Sequence, residues 1–122
     1  MVNDTIYVIG SCDAPPCAVQ AYDPSTDSWS SRAPIPQSVG SSFVVINAIL
    51  YSFAEHDFFS SLRDGYLTTV AYDPATDTWT TKASWSHGRL GFGVAAIDGT
   101  AYVVGGVKSA YQAPAYSGAY HP

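Results

Sequence analysis

Cys12 and Cys17 enclose the segment DAPP, and this pair is the first place in the chain where redox or metal chemistry could sit. The spacing allows either one small-loop disulfide or two thiols. Two thiolates with no further cysteine and no nearby histidine make a poor zinc site, so no metal is assigned here. A disulfide closing so short a loop would add about 2 kcal/mol by the chain-entropy estimate, and it would lean the protein toward an extracellular or periplasmic home. The histidines are His56, His87 and His121, and no two of them stand at a ligand-like spacing, which leaves a copper site short of donors. General acid–base work would fall to Glu55, Asp57 and His87, which share one group of connections. There is no Ser, His, Asp constellation and no phosphate-cradling glycine loop followed by lysine. The expectation is therefore a protein with no catalytic residues and no cofactor.

The elements that must position these residues belong to a folding sequence. Of the 122 residues, 47% are hydrophobic and 12% charged, enough to bury one core. Five basic against ten acidic side chains give a net charge of −5, which works against phosphate backbones and anionic lipid surfaces. Nucleic acid is not expected as a partner. No apolar run approaches the roughly 20 residues that span a bilayer, and MVNDTIYVIG lacks the basic start and apolar stretch of a signal peptide. A soluble chain without a membrane partner is expected.

The strongest internal signal is a repeat. AYDPSTDSWSSRA from Ala21 returns as AYDPATDTWTTKA from Ala71, with eight of thirteen positions identical. NDTIYVIGS from Asn3, NAILYSFAE from Asn47 and DGTAYVVGG from Asp98 line up as well, each with a turn-forming start and a central tyrosine. Apolar β-branched and aromatic runs bounded by Asn, Asp and Gly predict short β-strands throughout, and no window carries a helical period. Reading order predicts one complete four-strand unit, with strands over Ser41–Ile46, Ile49–Ala54, Leu67–Tyr72 and Thr78–Thr81. Before it come a second, third and fourth strand only, near Ile6–Ile9, Ala18–Tyr22 and Ser28–Ser31. After it come a first, second and third, near Gly91–Ile97, Ala101–Gly105 and Ala115–Tyr120.

The order IYVIGS, AYDPSTDSW, HGRLGFGVAAIDGTAYVVGG and AYHP resembles the kelch repeats of a β-propeller, whose units are four-stranded blades around a channel. The matching residues are Gly105 and Gly106 for the double glycine, Tyr22, Asp23 and Tyr72, Asp73 for the turn, Trp29 and Trp79, and Arg89 opening a first strand. Gly10 and Ser11 give half a double glycine, Ala54 and Glu55 give none, and Ser38 stands where Arg89 would be. The resemblance implies an all-β chain of antiparallel kelch blades forming a partial propeller. It comprises an incomplete blade over 1–33, a complete one over 38–83 and an incomplete one over 89–122. Some kelch propellers are enzymes, among them copper radical galactose oxidase and sialic acid mutarotases, and a sugar-active enzyme is one reading that the resemblance permits.

A four-strand meander sends the short turns to one end and the second-to-third and fourth-to-first connections to the other. That second end carries SCDAPPC, EHDFFSSLRDG, VKSAYQAP, APIPQS and ASWSHGR. Binding groups concentrate on irregular loops held by a rigid scaffold, and aromatic and arginine side chains anchor protein interfaces. His56, Phe58, Phe59, Arg63, Trp85, His87, Arg89 and Tyr111 are accordingly the candidate ligand-binding residues, for a protein or glycan partner. A second reading is self-assembly: the first and last blades leave open strand edges, and two copies, as a homodimer, would supply six blade-like units.

Overall fold

The computed structural model describes residues 1–10, 16–36, 42–56, 66–85, 90–107 and 117–122, with side-chain surroundings described for all of these except 54–56, 66–67 and 90. These residues form ten strands and no helix: β1 (Ile6–Ile9), β2 (Cys17–Asp23), β3 (Ser28–Ile35), β4 (Ser42–Ile46), β5 (Ile49–His56), β6 (Tyr66–Asp73), β7 (Thr78–Trp85), β8 (Leu90–Ile97), β9 (Thr100–Val107) and β10 (Ser117–Tyr120). They make three antiparallel sheets in simple up-and-down order, β1-β2-β3, then β4-β5-β6-β7, then β10-β9-β8. The chain is all-β, as its periodicity requires, and no helix among the described residues is long and apolar enough to cross a membrane.

Local chemistry explains the turns. Asn47 and Ala48 between β4 and β5, and Asp98 and Gly99 between β8 and β9, all have positive φ, which is the two-residue hairpin geometry whose twist suits antiparallel strands. Asn3 and Asp4 have it too, with φ of 48° and 61°. There Val2 and Thr5 exchange two backbone hydrogen bonds of 2.9 and 3.0 Å. This antiparallel bridge is isolated and lies outside the ten strands. In the longer turns Asp27 and Asp77 hold φ near 50°, a conformation that aspartate tolerates better than most residues.

Several strands outrun their expected limits. β3 and β7 continue to Ile35 and Trp85, past Ser31 and Thr81, because each is an edge strand, where Pro34 removes no ladder hydrogen bond. A register shift between Cys17 and Val19, and another between Leu67 and Thr69, lets each of these outer strands resume pairing after an irregular step. β9 likewise runs through Gly105 and Gly106, whose φ values of 74° and 83° would strain any side chain, and reaches Val107.

Each sheet has two faces, and the pairing registers place repeat-related residues on matching ones. Ile6 and Tyr22 pair in the first sheet, Leu50, Tyr72 and Trp79 in the second, and Ala101 and Tyr120 in the third. This side is called the tryptophan face. Tyr7 with Ala21, Tyr51 with Ala71 and Tyr102 with Ala119 mark the reverse face. The reverse face of the first sheet packs on the tryptophan face of the second, burying Cys17, Val19 and Ile35 with Tyr7, Ile9 and Trp79 around them. The reverse face of the second packs on the tryptophan face of the third in a larger core of Ile46, Tyr51, Phe53, Ala71, Phe92, Ala101 and Val103. Covered on both sides, β5 buries Leu50, Tyr51, Ser52 and Phe53 in succession, so its sequence lacks the alternation of a half-exposed strand.

Candidate functional site

The repeated turn shows what its residues do. In the first copy Asp23 Oδ1 accepts from the Ser25 amide at 2.8 Å and from the Ser25 hydroxyl at 2.7 Å. These donors hold the Asp23 carboxyl below its ordinary range. In the second copy Asp73 Oδ1 accepts from the Ala75 amide at 2.9 Å. The tyrosine before each Asp-Pro reaches across its turn: Tyr22 Oη donates to Asp27 at 2.8 Å and Tyr72 Oη to Asp77 at 2.7 Å. Each tyrosine also lies on its tryptophan, with centroids 4.9 Å apart for both Tyr22 with Trp29 and Tyr72 with Trp79. The two copies are built alike.

They differ in what lies beside them. Asp77 Oδ1 also accepts from the Ala33 amide of the first sheet at 2.9 Å, and Trp79 Nε1 donates to the Ala33 carbonyl at 2.9 Å. The Ala33 amide, and then the Tyr72 hydroxyl, lower the Asp77 pKa. Burial, and then the hydrogen bond to Asp77, push the Tyr72 phenol well above its usual value. Trp79 is half-buried at this junction, whereas Trp29 is 58% exposed. Asp77, Tyr72 and Trp79 of the second copy clamp two sheets together, whereas among the described residues Tyr22, Asp23, Asp27 and Trp29 of the first hold only their own turn.

The opposite end of the sheets is where His56 closes β5, paired with Tyr66, and where Cys17, Ile35, Trp85, Leu90, Val107 and Ser117 begin or end their strands. The connections expected to bind are therefore launched from one end. Phe58, Phe59, Arg63, His87, Arg89 and Tyr111 lie outside the described residues, as does the His56 side chain. Trp85 is described, and its ring is not displayed on a loop: it is partly buried in the larger core and lies directly against Gly118 of β10. Cys17 is buried and disulfide-bonded, which decides between the two states its spacing allowed; Cys12, the other cysteine of the chain, lies outside the described residues. Among the described residues no three His, Cys, Asp or Glu side chains converge as a metal site would need.

One concave feature escaped sequence reading. An apolar groove of about 450 Å³ opens between the unpaired edge of β1, with Met1, Val2, Tyr7, Val8 and Ile9, and the strands carrying Phe43, Val44, Val45 and Leu50. It runs along the edge of β1 that pairs with no other strand among the described residues. Comparison with family models and with curated proteins gave no match.

Proposed function

We propose that the chain is a non-catalytic binding module, a partial β-propeller of the kelch kind, engaging a protein or glycan through the end from which the long connections emerge. The observation that carries this reading is the commitment of the repeat's reactive groups. Asp23, Asp73, Asp77, Tyr22, Tyr72 and Trp79 all spend their hydrogen bonds on turns or on a neighbouring sheet. A carboxylate so held is a poor acid or base, and its repetition in two turns is what structure requires and catalysis does not. Recognition then falls to the other end, where Phe58, Phe59 and Arg63 supply aromatic and guanidinium anchors. The kelch reading rests on the doubled AYDP turn, the spacing of Trp29 and Trp79 and the up-and-down order of the four-stranded sheet.

The test is a screen of the wild-type chain against a glycan array and a displayed peptide library, followed by the double variant Phe58→Ser, Phe59→Ser. Binders should lose at least about tenfold in affinity while far-UV circular dichroism stays unchanged. Undiminished binding by the double variant, or blank screens of both kinds, would overturn the proposal.

A further inference from the structure

The chain builds the same junction twice and leaves both halves of a third exposed. At the first junction Tyr7 of a reverse face meets Tyr72 of a tryptophan face, with ring centroids 5.6 Å apart and nearly edge-on. At the second, Tyr51 meets Tyr120 at 6.0 Å, by the same pair of repeat positions. Among the described residues, the positions without a neighbouring sheet are Tyr102 on the reverse face of the third sheet and Tyr22 on the tryptophan face of the first. Around them lie large apolar side chains in water: Ile97 at 58%, Tyr102 at 41% and Val104 at 58% on one, and Ile6 at 41%, Val8 at 42% and Trp29 at 58% on the other. Their counterparts in the middle sheet, Leu50, Tyr51 and Phe53, are buried. Contiguous apolar exposure of this kind marks an interaction surface.

We infer that these two faces bind each other between molecules, the reverse face of the third sheet docking on the tryptophan face of the first sheet of a second copy. The occupant follows from the junctions already present: what covers a tryptophan face in this chain is a reverse face, both times, and among the described residues one face of each kind is left exposed. The receiving face is also set in place beforehand. Tyr22 lies on Trp29 at the same 4.9 Å as Tyr72 on Trp79, and its hydroxyl is held by Asp27 as that of Tyr72 is by Asp77. A surface already in its bound arrangement costs little ordering on association. Two unlike faces make a heterologous contact, which closes into a ring or grows as a filament according to the rotation between sheets. The contact lies on the sheet faces, apart from the loop end, so its failure would leave the proposed ligand site standing and the reverse is equally true.

The experiment is absolute mass by light scattering across a roughly hundredfold dilution, because mass action makes association concentration-dependent. The wild-type chain should rise above the mass of one chain as concentration increases. Val8→Asp spoils one face and Val104→Asp the other, and both side chains are exposed enough for the charge to be tolerated in the fold. Each variant alone should stay at one chain, and an equimolar mixture should form a species of two chains, one of each kind, through the two intact faces. A wild-type mass of one chain throughout would overturn the inference. So would self-association of either single variant at the wild-type level, or a mixture that stays monomeric.

Discussion

Trp29 and Trp79 stand at the same place in two near-identical motifs, so truncating each in turn isolates what a neighbouring sheet contributes. Both rings lie on a tyrosine at 4.9 Å, with interplanar angles of 38° and 35°, so the aromatic pairing, worth about 0.5–1.5 kcal/mol, cancels in the difference. What does not cancel is the packing of Trp79 on Cys17, Val19 and Ile35, and its hydrogen bond to the Ala33 carbonyl. Full truncation of a buried tryptophan costs about 3–5 kcal/mol, and the half-burial of Trp79 puts Trp79→Ala at the lower end, about 3 kcal/mol. Trp29→Ala should cost about 1 kcal/mol, most of it the lost tyrosine contact. Urea unfolding followed by far-UV circular dichroism, at a concentration low enough to keep the chain monomeric, reads the difference as a shift in midpoint at constant slope. A Trp79→Phe variant separates the hydrogen bond, at about 1 kcal/mol, from the packing. Equal losses for the two alanine variants would refute the reasoning, since they would mean that the motif acts only within its own turn.

Thr69 and Ser52 are fully buried and their hydroxyls make no hydrogen bond, while the repeat places Val19 and Val8 at the corresponding positions. Thr69→Val should therefore leave stability unchanged or raise it by about 1 kcal/mol in urea unfolding, and a loss of that size would count against the reading. Gly118→Ala would drive a methyl group into the Trp85 ring, so it should destabilise by about 1–3 kcal/mol, with Trp85→Phe in the same chain recovering part of the loss. Stability should also fall at both extremes of pH. Asp77, its pKa lowered by the Ala33 amide, contributes above the ordinary carboxylate value of about 4 and loses that contribution as pH falls through its folded value. Tyr72, its pKa raised by burial, contributes fully below about 10 and loses that contribution as pH rises beyond it. Asp77→Asn should flatten the acid limb and Tyr72→Phe the alkaline one, and an unchanged limb in either variant would contradict the assignment.

The parts of this fold that were readable from sequence are the ones governed by neighbours along the chain. Asp23 and Asp73 make turns because a carboxylate two residues before an amide can accept from it, and Pro24 and Pro74 preset the backbone. Val, Ile and Tyr between such turns become strands for similarly local reasons. The far ends of β3 and β7 were less readable, because Pro34 and the small residues around it are tolerated only where an edge has no further partner. Burial was less readable still. Ile6 and Leu50 are equivalent in the repeat and both apolar, yet one is 41% exposed and the other 7%, and only the presence of an adjacent sheet separates them. Trp85 met the same difficulty: aromatic residues beside an irregular connection suit a binding loop and a core equally well, and Gly118, distant in sequence, supplies the space that draws the ring inward.

That dependence on neighbours also bears on how the sheets come together. If docking shaped the tryptophan face, the undocked copy would be expected to differ from the docked one. It does not: the Tyr22 hydroxyl reaches Asp27 at 2.8 Å where that of Tyr72 reaches Asp77 at 2.7 Å, and the ring geometries agree within 3°. The turn therefore assembles its own docking surface from residues within a few positions of one another, and docking adds only the contacts across the junction, such as those of Asp77 and Trp79 to Ala33. Local order of this kind precedes long-range pairing at little entropic cost, which favours folding sheet by sheet. By the same logic Trp29 stands on a surface that its own turn has finished, in the same arrangement as the docked Trp79.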